Sequence, residues 1–272
     1  MLNMNEELIS ELEQQLNRTD EIASWSLLET LYVHIGDLDP ILRDQTVYRG
    51  WRRLFNENRI AEHDKSTLLT MILQKADLFD GISDPSTDKV FKRSFTALLC
   101  VIMLDDQRRM GWMNAEQERA LIETGIAYLS AEKDNRGYVP DKGWAHAFAH
   151  GADLLQALAQ SPLLTQHQQH RLLWAVSRAF VEIDDFLYGE ESRIAVGVIR
   201  LCQRTDFDWS SFLCWLKKTA QQVSDHEDFN ICWKNFLLSF SRIFTFEQLN
   251  MDDVQQFITD ELYRFYQTYR IV

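Results

Sequence analysis

Glycine and proline are scarce in this sequence, with ten Gly and four Pro among 272 residues. They fall between periodic segments, where they end helices at least cost, and the pattern is that of an all-helical protein. Cysteine is equally sparse: Cys100, Cys202, Cys214 and Cys232 lie far apart and mostly in apolar helical runs. That spacing excludes a disulfide framework and a C-x-x-C metal knuckle, and it predicts small buried hydrophobes in a reducing compartment. Basic charge is in deficit, 28 Lys and Arg against 41 Asp and Glu, for a formal charge of −13. Such a chain repels a phosphate backbone unless its basic groups are segregated, so nucleic acid is not an expected partner. No apolar run approaches the roughly 20 residues that span a bilayer, and no membrane role is expected. The opening stretch MLNMNEELISELEQQL is acidic and amphipathic, without the basic-then-apolar order of a signal peptide, so a cytoplasmic location is expected. There is no G-x-S-x-G, dinucleotide fingerprint, Walker motif or kinase set, and no cofactor is expected.

What is present is apolar and aromatic material: 46% hydrophobic residues, with eight Trp and sixteen Phe, enough for an extensive core. Apolar recurrence at i, i+3 and i+4 predicts about twelve helices, near 4–17, 24–36, 40–56, 65–79, 87–104, 115–132, 143–159, 165–182, 190–204, 208–223, 230–243 and 251–269. Asp39-Pro40 is a favourable start, and Asn114 to Gln117 and Thr165 to Gln168 have capping-box spacing. Paired in order, the helices make about six antiparallel hairpins with a period of roughly 40 to 47 residues, the range of HEAT-type repeats. The expected fold is an all-α hairpin array, HEAT-like as an open α/α superhelix, or alternatively a closed α/α toroid. One domain over 1–272 is expected, with 1–36 as an N-terminal cap.

The densest ionisable and aromatic stretch is Tyr128 to Leu155. On a helix over 143–159, at about 100° per residue, His146, His150 and Asp153 share one side. Three readings of this stripe stay open: a semi-buried polar seam satisfied by neighbours, a ligand pocket with an acid–base pair of imidazoles, or a metal site. The third lacks an H-E-x-x-H and a fourth ligand; Asp184, Asp185, Glu190, Glu191 and His226 are its only supplements.

The preceding loop, Glu132 to Tyr138, mixes both charges with a glycine and an aromatic. It reads either as a solvated turn, or as a place where Lys133, Arg136 and Lys142 ring the N-terminal end of the next helix and favour an anion. Tyr138 and Trp144 join these as candidate ligand-binding residues. If alternate helices line one inner face, Arg93, His146, Arg193 and Asn235 converge there, with Glu191 beside them; the plainer reading is a set of polar bridges between hairpins. The acidic run from Glu182 to Glu191 reads as helix-start stabilisation before cation binding. Trp51, Trp112, Trp174, Trp209 and Trp215 read as packing residues.

Three stretches carry a family resemblance: Thr87 to Phe95 (TDKVFKRSF), Ala131 to Tyr138 (AEKDNRGY), and Gly143 to Ala147 with Ala149 to Asp153. They resemble DUF2785, a domain of unknown function found largely in Gram-positive bacteria, over most of the chain from about residue 30. The resemblance implies a compact, soluble, helical bacterial protein and no particular activity. The leading expectation is a binding or scaffold module with a polar concave face, whose partner is a protein or a small anionic ligand. The rival is an acid–base or metal-assisted hydrolase centred on His146, His150 and Asp153.

Overall fold

Cap chemistry sets where the helices of this chain begin. Asn114 Oδ1 accepts the Gln117 N–H at 2.9 Å while the Gln117 side chain accepts the Asn114 N–H at 3.0 Å. Thr165 and Gln168 form the same reciprocal box. Asp39 Oδ1 accepts the Ile41 N–H at 2.9 Å. Asp208 takes the Ser210 and Ser211 N–H groups at 3.0 and 3.1 Å and both serine hydroxyls.

The computed structural model describes residues 4–183, 185–226 and 230–268. Within them lie twelve α-helices: α1 Met4–Leu16, α2 Trp25–Val33, α3 Arg49–Asn56, α4 Glu62–Lys75, α5 Lys89–Met110, α6 Ala115–Ala131, α7 Ala147–Ala159, α8 Gln166–Glu182, α9 Glu190–Cys202, α10 Trp209–His226, α11 Ile231–Phe246 and α12 Asp252–Thr268. A π-helical segment, Ile41–Tyr48, runs into α3, and a 3-10 turn, Asp77–Phe79, follows α4. Two short strands, β1 Tyr138–Val139 and β2 Gly143–Trp144, pair antiparallel, Tyr138 opposite Trp144. The protein is all-α, as expected. Among the described residues no helix is long and apolar enough to cross a membrane.

The chain forms two compact units, Met1–Thr124 with Arg136–Gly151, and Gly125–Asn135 with Ala152–Val272. In the first, α5 packs on α3 and on the 3-10 turn, and the π-helical segment packs on α1. Leu42, Val47, Leu54, Phe55, Val90 and Phe91 fill its core. That core holds an ion pair: Lys65 Nζ meets Asp106 Oδ2 at 2.5 Å, with side chains 4% and 1% exposed. Arg109 reaches the other oxygen of Asp106 at 2.6 Å.

In the second unit α9 packs on α11, α8 on α10 and α9, and α12 on α11. Trp233, Phe236, Phe240 and Phe244 recur at helical spacing along α11; the first three face Phe180, Phe212 and Trp215 and Phe244 faces Trp209, ring centres 5.0 to 6.3 Å apart. Aromatic pairs of this geometry add about 0.5–1.5 kcal/mol each beyond buried area. Gly197 lets α9 lie close to α7, since a Cβ there would sit 2.7 Å from Leu155 Cδ2.

Several expectations are corrected. The helix expected over 143–159 begins at Ala147, because positive φ at Asp141, Gly143 and His146 builds a hairpin first. The helix expected to end at 104 continues to Met110, where Gly111 in the left-handed region closes it. The helix expected over 65–79 is α4 and a separate 3-10 turn, broken at Ala76, whose φ is +51°. Cys214 is exposed, whereas Cys100, Cys202 and Cys232 are buried; burial pushes the Cys100 thiol up to about 12 and that of Cys232 up to about 11. Trp174 is 44% exposed, while Trp51, Trp112 and Trp215 are buried as expected.

The Asp208 cap carries a testable pH dependence. Hydrogen bonds from Ser211 and Ser210 pull its carboxyl down to about 2. A depressed folded-state pKa stabilises above the unfolded value, near 3.9, and that contribution is lost as pH falls through about 2. Asp208→Ala should cost about 0.5–2 kcal/mol at neutral pH. In urea titrations the gap from wild type should narrow between about pH 4 and pH 2.

Candidate functional site

The hairpin before α7 is made by local rules. Val139-Pro140-Asp141-Lys142 turns with Pro in second place and Asp141 at φ +64°, and the Lys142 N–H returns to the Val139 carbonyl at 3.1 Å, as in a type II turn. Val139 points inward against Val90, Phe91, Ala145 and Ala147. The strand alternation then turns Tyr138 and Trp144 outward, 51% and 38% exposed. Gly143 has φ +76°, and a Cβ on it would meet Pro40 Cβ at 2.9 Å and Arg43 Nη2 at 3.1 Å, so the close approach requires glycine.

From this hairpin a ladder of rings descends into the first unit. Tyr138 meets Trp144 edge-on at 5.1 Å; Trp144 lies parallel on His146 at 4.3 Å with 1° between planes; His146 and His150 are 5.8 Å apart; His150 meets Phe95 edge-on at 5.3 Å. His146 has φ +49°, a conformation that costs a non-glycine residue on the order of 1 kcal/mol. Its N–H is held by the Arg136 carbonyl at 3.0 Å, and its own carbonyl accepts the His150 N–H at 2.9 Å, opening α7. The single-helix stripe of His146, His150 and Asp153 is therefore corrected: His146 precedes the helix, and only His150 and Asp153 lie on it.

Under the ladder sits Arg43, which the sequence did not mark because a buried arginine in an amphipathic segment looks like any surface one. Its side chain is fully buried, with the guanidinium 4.3 Å over Phe91 and 4.8 Å over Phe95. It donates to Asp44 Oδ1 at 2.8 Å, the Asp37 carbonyl at 2.7 Å and the Lys142 carbonyl at 2.8 Å, fastening the hairpin turn to the π-helical segment. Burial lowers the Arg43 pKa and raises that of Asp44, each against the attraction of the other.

Two of the three basic residues expected to ring the start of α7 find a carboxylate within the first unit. Lys142 Nζ pairs with Asp88 Oδ2 at 2.6 Å, and Arg136 lies 4.0 Å from Asp88 Oδ1 and donates to the Thr87 carbonyl at 2.6 Å. Both cations thus go to the residue before α5, whose carboxylate the sequence reading passed over. Arg93 is fully buried and donates to the Asp80 carbonyl at 2.9 Å.

The remaining candidates lie in the second unit. Arg193 pairs with Asp153 at 2.9 Å, and Asn235 donates to the buried Glu191 at 3.1 Å. Lys133 is exposed; the hydrogen bond and then the charge of Arg178 hold the Glu182 carboxyl down against burial, and the charge of Lys133 adds to them. Glu190 and Glu191 open α9, Glu190 accepting the Tyr188 N–H at 2.8 Å, which fits helix-start stabilisation. Asp184 and the His226 side chain lie outside the described residues. Among those described, no group of three His, Cys, Asp or Glu is placed to hold a metal ion.

Fold and site together define an all-helical protein with a ring-stacked hairpin set into its first unit. The family model described as protein of unknown function (DUF2785) matches residues 78–245, more than half of the chain. The chain belongs to that family, as its resemblance implied. No curated protein and no solved structure matches it.

Proposed function

We propose that this is a cytoplasmic binding module whose protein partner docks on the outward face of the hairpin, Tyr138 and Trp144. The observation that carries the reading is the Trp144 ring, partly exposed yet lying flat on His146 at 4.3 Å. A large aromatic surface held rigid before contact loses little conformational entropy on binding, which is why Trp and Tyr anchor interfaces. Charge supports the same reading. Arg136 and Lys142, within the same unit as the hairpin, are engaged with Asp88, so they act as framework around the docking face. The packing of alternate helices, α8 on α10 and α9 on α11, is compatible with a HEAT-like array. Free, undisulfided cysteines fit a reducing cytoplasm.

A tiled peptide array probed with wild type, Trp144→Ala and Tyr138→Ala tests the reading. Wild type should retain a defined peptide set that both variants lose by about tenfold or more, a hot-spot-sized effect. Identical patterns for all three proteins would remove the hairpin from the interface. Turnover of the peptides, abolished in His146→Ala/His150→Ala, would put the hydrolase reading in its place.

A further inference from the structure

A second feature, wholly within the second unit, is an open groove of about 680 Å³ between α10 and α12. Its size falls in the range of small-molecule sites. Trp209, Leu213, Met251 and Val254 form the apolar walls, and Lys217 and Lys218 stand at the rim. Several arginines elsewhere in this unit are paired with carboxylates: Arg178 with Glu182, Arg200 with Glu247, Arg204 with Asp206, Arg264 with Glu261. Lys217 and Lys218 are both exposed and make no ion pair or hydrogen bond among the described residues. Asp253, the one carboxylate on the groove wall, lies in the first turn of α12, where the helix dipole already stabilises it. Lys218 and Cys214 also border a smaller adjoining depression of about 190 Å³ with His170 and Trp174, which extends the apolar floor beyond the lysines.

Two adjacent cations that meet no partner among the described residues, beside an apolar trough in a protein of charge −13, select a ligand with one anionic end and one long apolar end. We propose that this groove binds a single-chain anionic amphiphile of the fatty-carboxylate type, its carboxylate between Lys217 and Lys218 and its chain along Trp209, Leu213, Met251 and Val254. A lone amphiphile suits the site better than an anionic bilayer does. At physiological salt, screening over roughly 8 Å lets a small anion feel mainly the groove's own charges, the two lysines and the single Asp253, whereas a membrane surface meets the acidic protein as a whole.

Cys214 supplies the readout, because it lines the groove and is exposed while the other three cysteines are buried. The rate of N-ethylmaleimide addition, followed by intact mass, is measured with laurate below its micelle concentration. Laurate should slow labelling of wild-type Cys214 severalfold, while dodecyltrimethylammonium should not. Lys217→Glu/Lys218→Glu, two exposed positions whose fold is checked by circular dichroism, should weaken laurate by about tenfold or more, the scale of two surface ion pairs. Absence of protection on wild type, or equal protection by the cationic chain or on the charge-reversed variant, would overturn the proposal. Preferential co-sedimentation with phosphatidylglycerol vesicles would also overturn it, in favour of a membrane surface. The hairpin face takes no part in this experiment, so the two readings stand or fall separately.

Discussion

Arg43→Met should destabilise the first unit by about 3–5 kcal/mol, although methionine keeps much of the stem volume packed on Phe91 and Phe95. The loss comes from what the guanidinium leaves behind. It serves three acceptors in three directions, the Asp37 carbonyl, the Lys142 carbonyl and Asp44. A buried acceptor stripped of its donor costs about 1–3 kcal/mol. Asp44 keeps partial access to water, with its side chain 28% exposed, so the two carbonyls dominate. Arg43→Lys should lose most of the same energy, because an ammonium cannot reproduce the planar fork. Urea denaturation gives the stability change. Hydrogen exchange at Ala145 and His146 reports the local effect, since their N–H groups close the hairpin on Gly137 and Arg136. If both variants unfold within about 0.5 kcal/mol of wild type, the ordinary range for surface changes, the clamp described for Arg43 is wrong.

The second large effect is expected at Lys65→Met. Its partner Asp106 is 1% exposed and is shared between Lys65 and Arg109 at 2.5 and 2.6 Å. Removing the lysine leaves a buried carboxylate held from one side by an arginine that is itself 42% exposed, and breaking such a pair costs about 3–5 kcal/mol. The double variant Lys65→Met/Asp106→Leu should recover most of that loss, because removing both charges also removes the desolvation penalty. The size of the recovery is a double-mutant coupling energy. A double variant as unstable as the two single losses added together would mean that Lys65 acts mainly through its packing on Phe55 and Trp112, over which its ammonium lies at 5.5 and 5.9 Å.

The part of the site legible in the sequence was its location. Tyr138, Trp144, His146 and His150 were picked out because ionisable and aromatic residues crowd there, and they do form one continuous ladder. Their arrangement was not legible. A helical wheel treats every residue as αR, and three residues of this stretch, Asp141, Gly143 and His146, have positive φ. Arg136 and Lys142 stand out in the sequence as charged residues, yet where they point depends on Asp88, about fifty residues earlier in the chain. Arg43 gave no signal because burial of a charge is a property of the surrounding structure, here Phe91 and Phe95, and not of the residue type.

By itself the sequence determined what depends on neighbours a few positions apart. Helix count, the Asn114 and Thr165 capping boxes and the aromatic stripe of α11 follow from periodicity and short side-chain reach, which any local window contains. Tertiary structure alone decided which charges are buried, which cysteine and which tryptophan face solvent, and which carboxylate each cation finds. Those outcomes are differences between desolvation and pairing energies, set by groups that the chain brings together only when it folds.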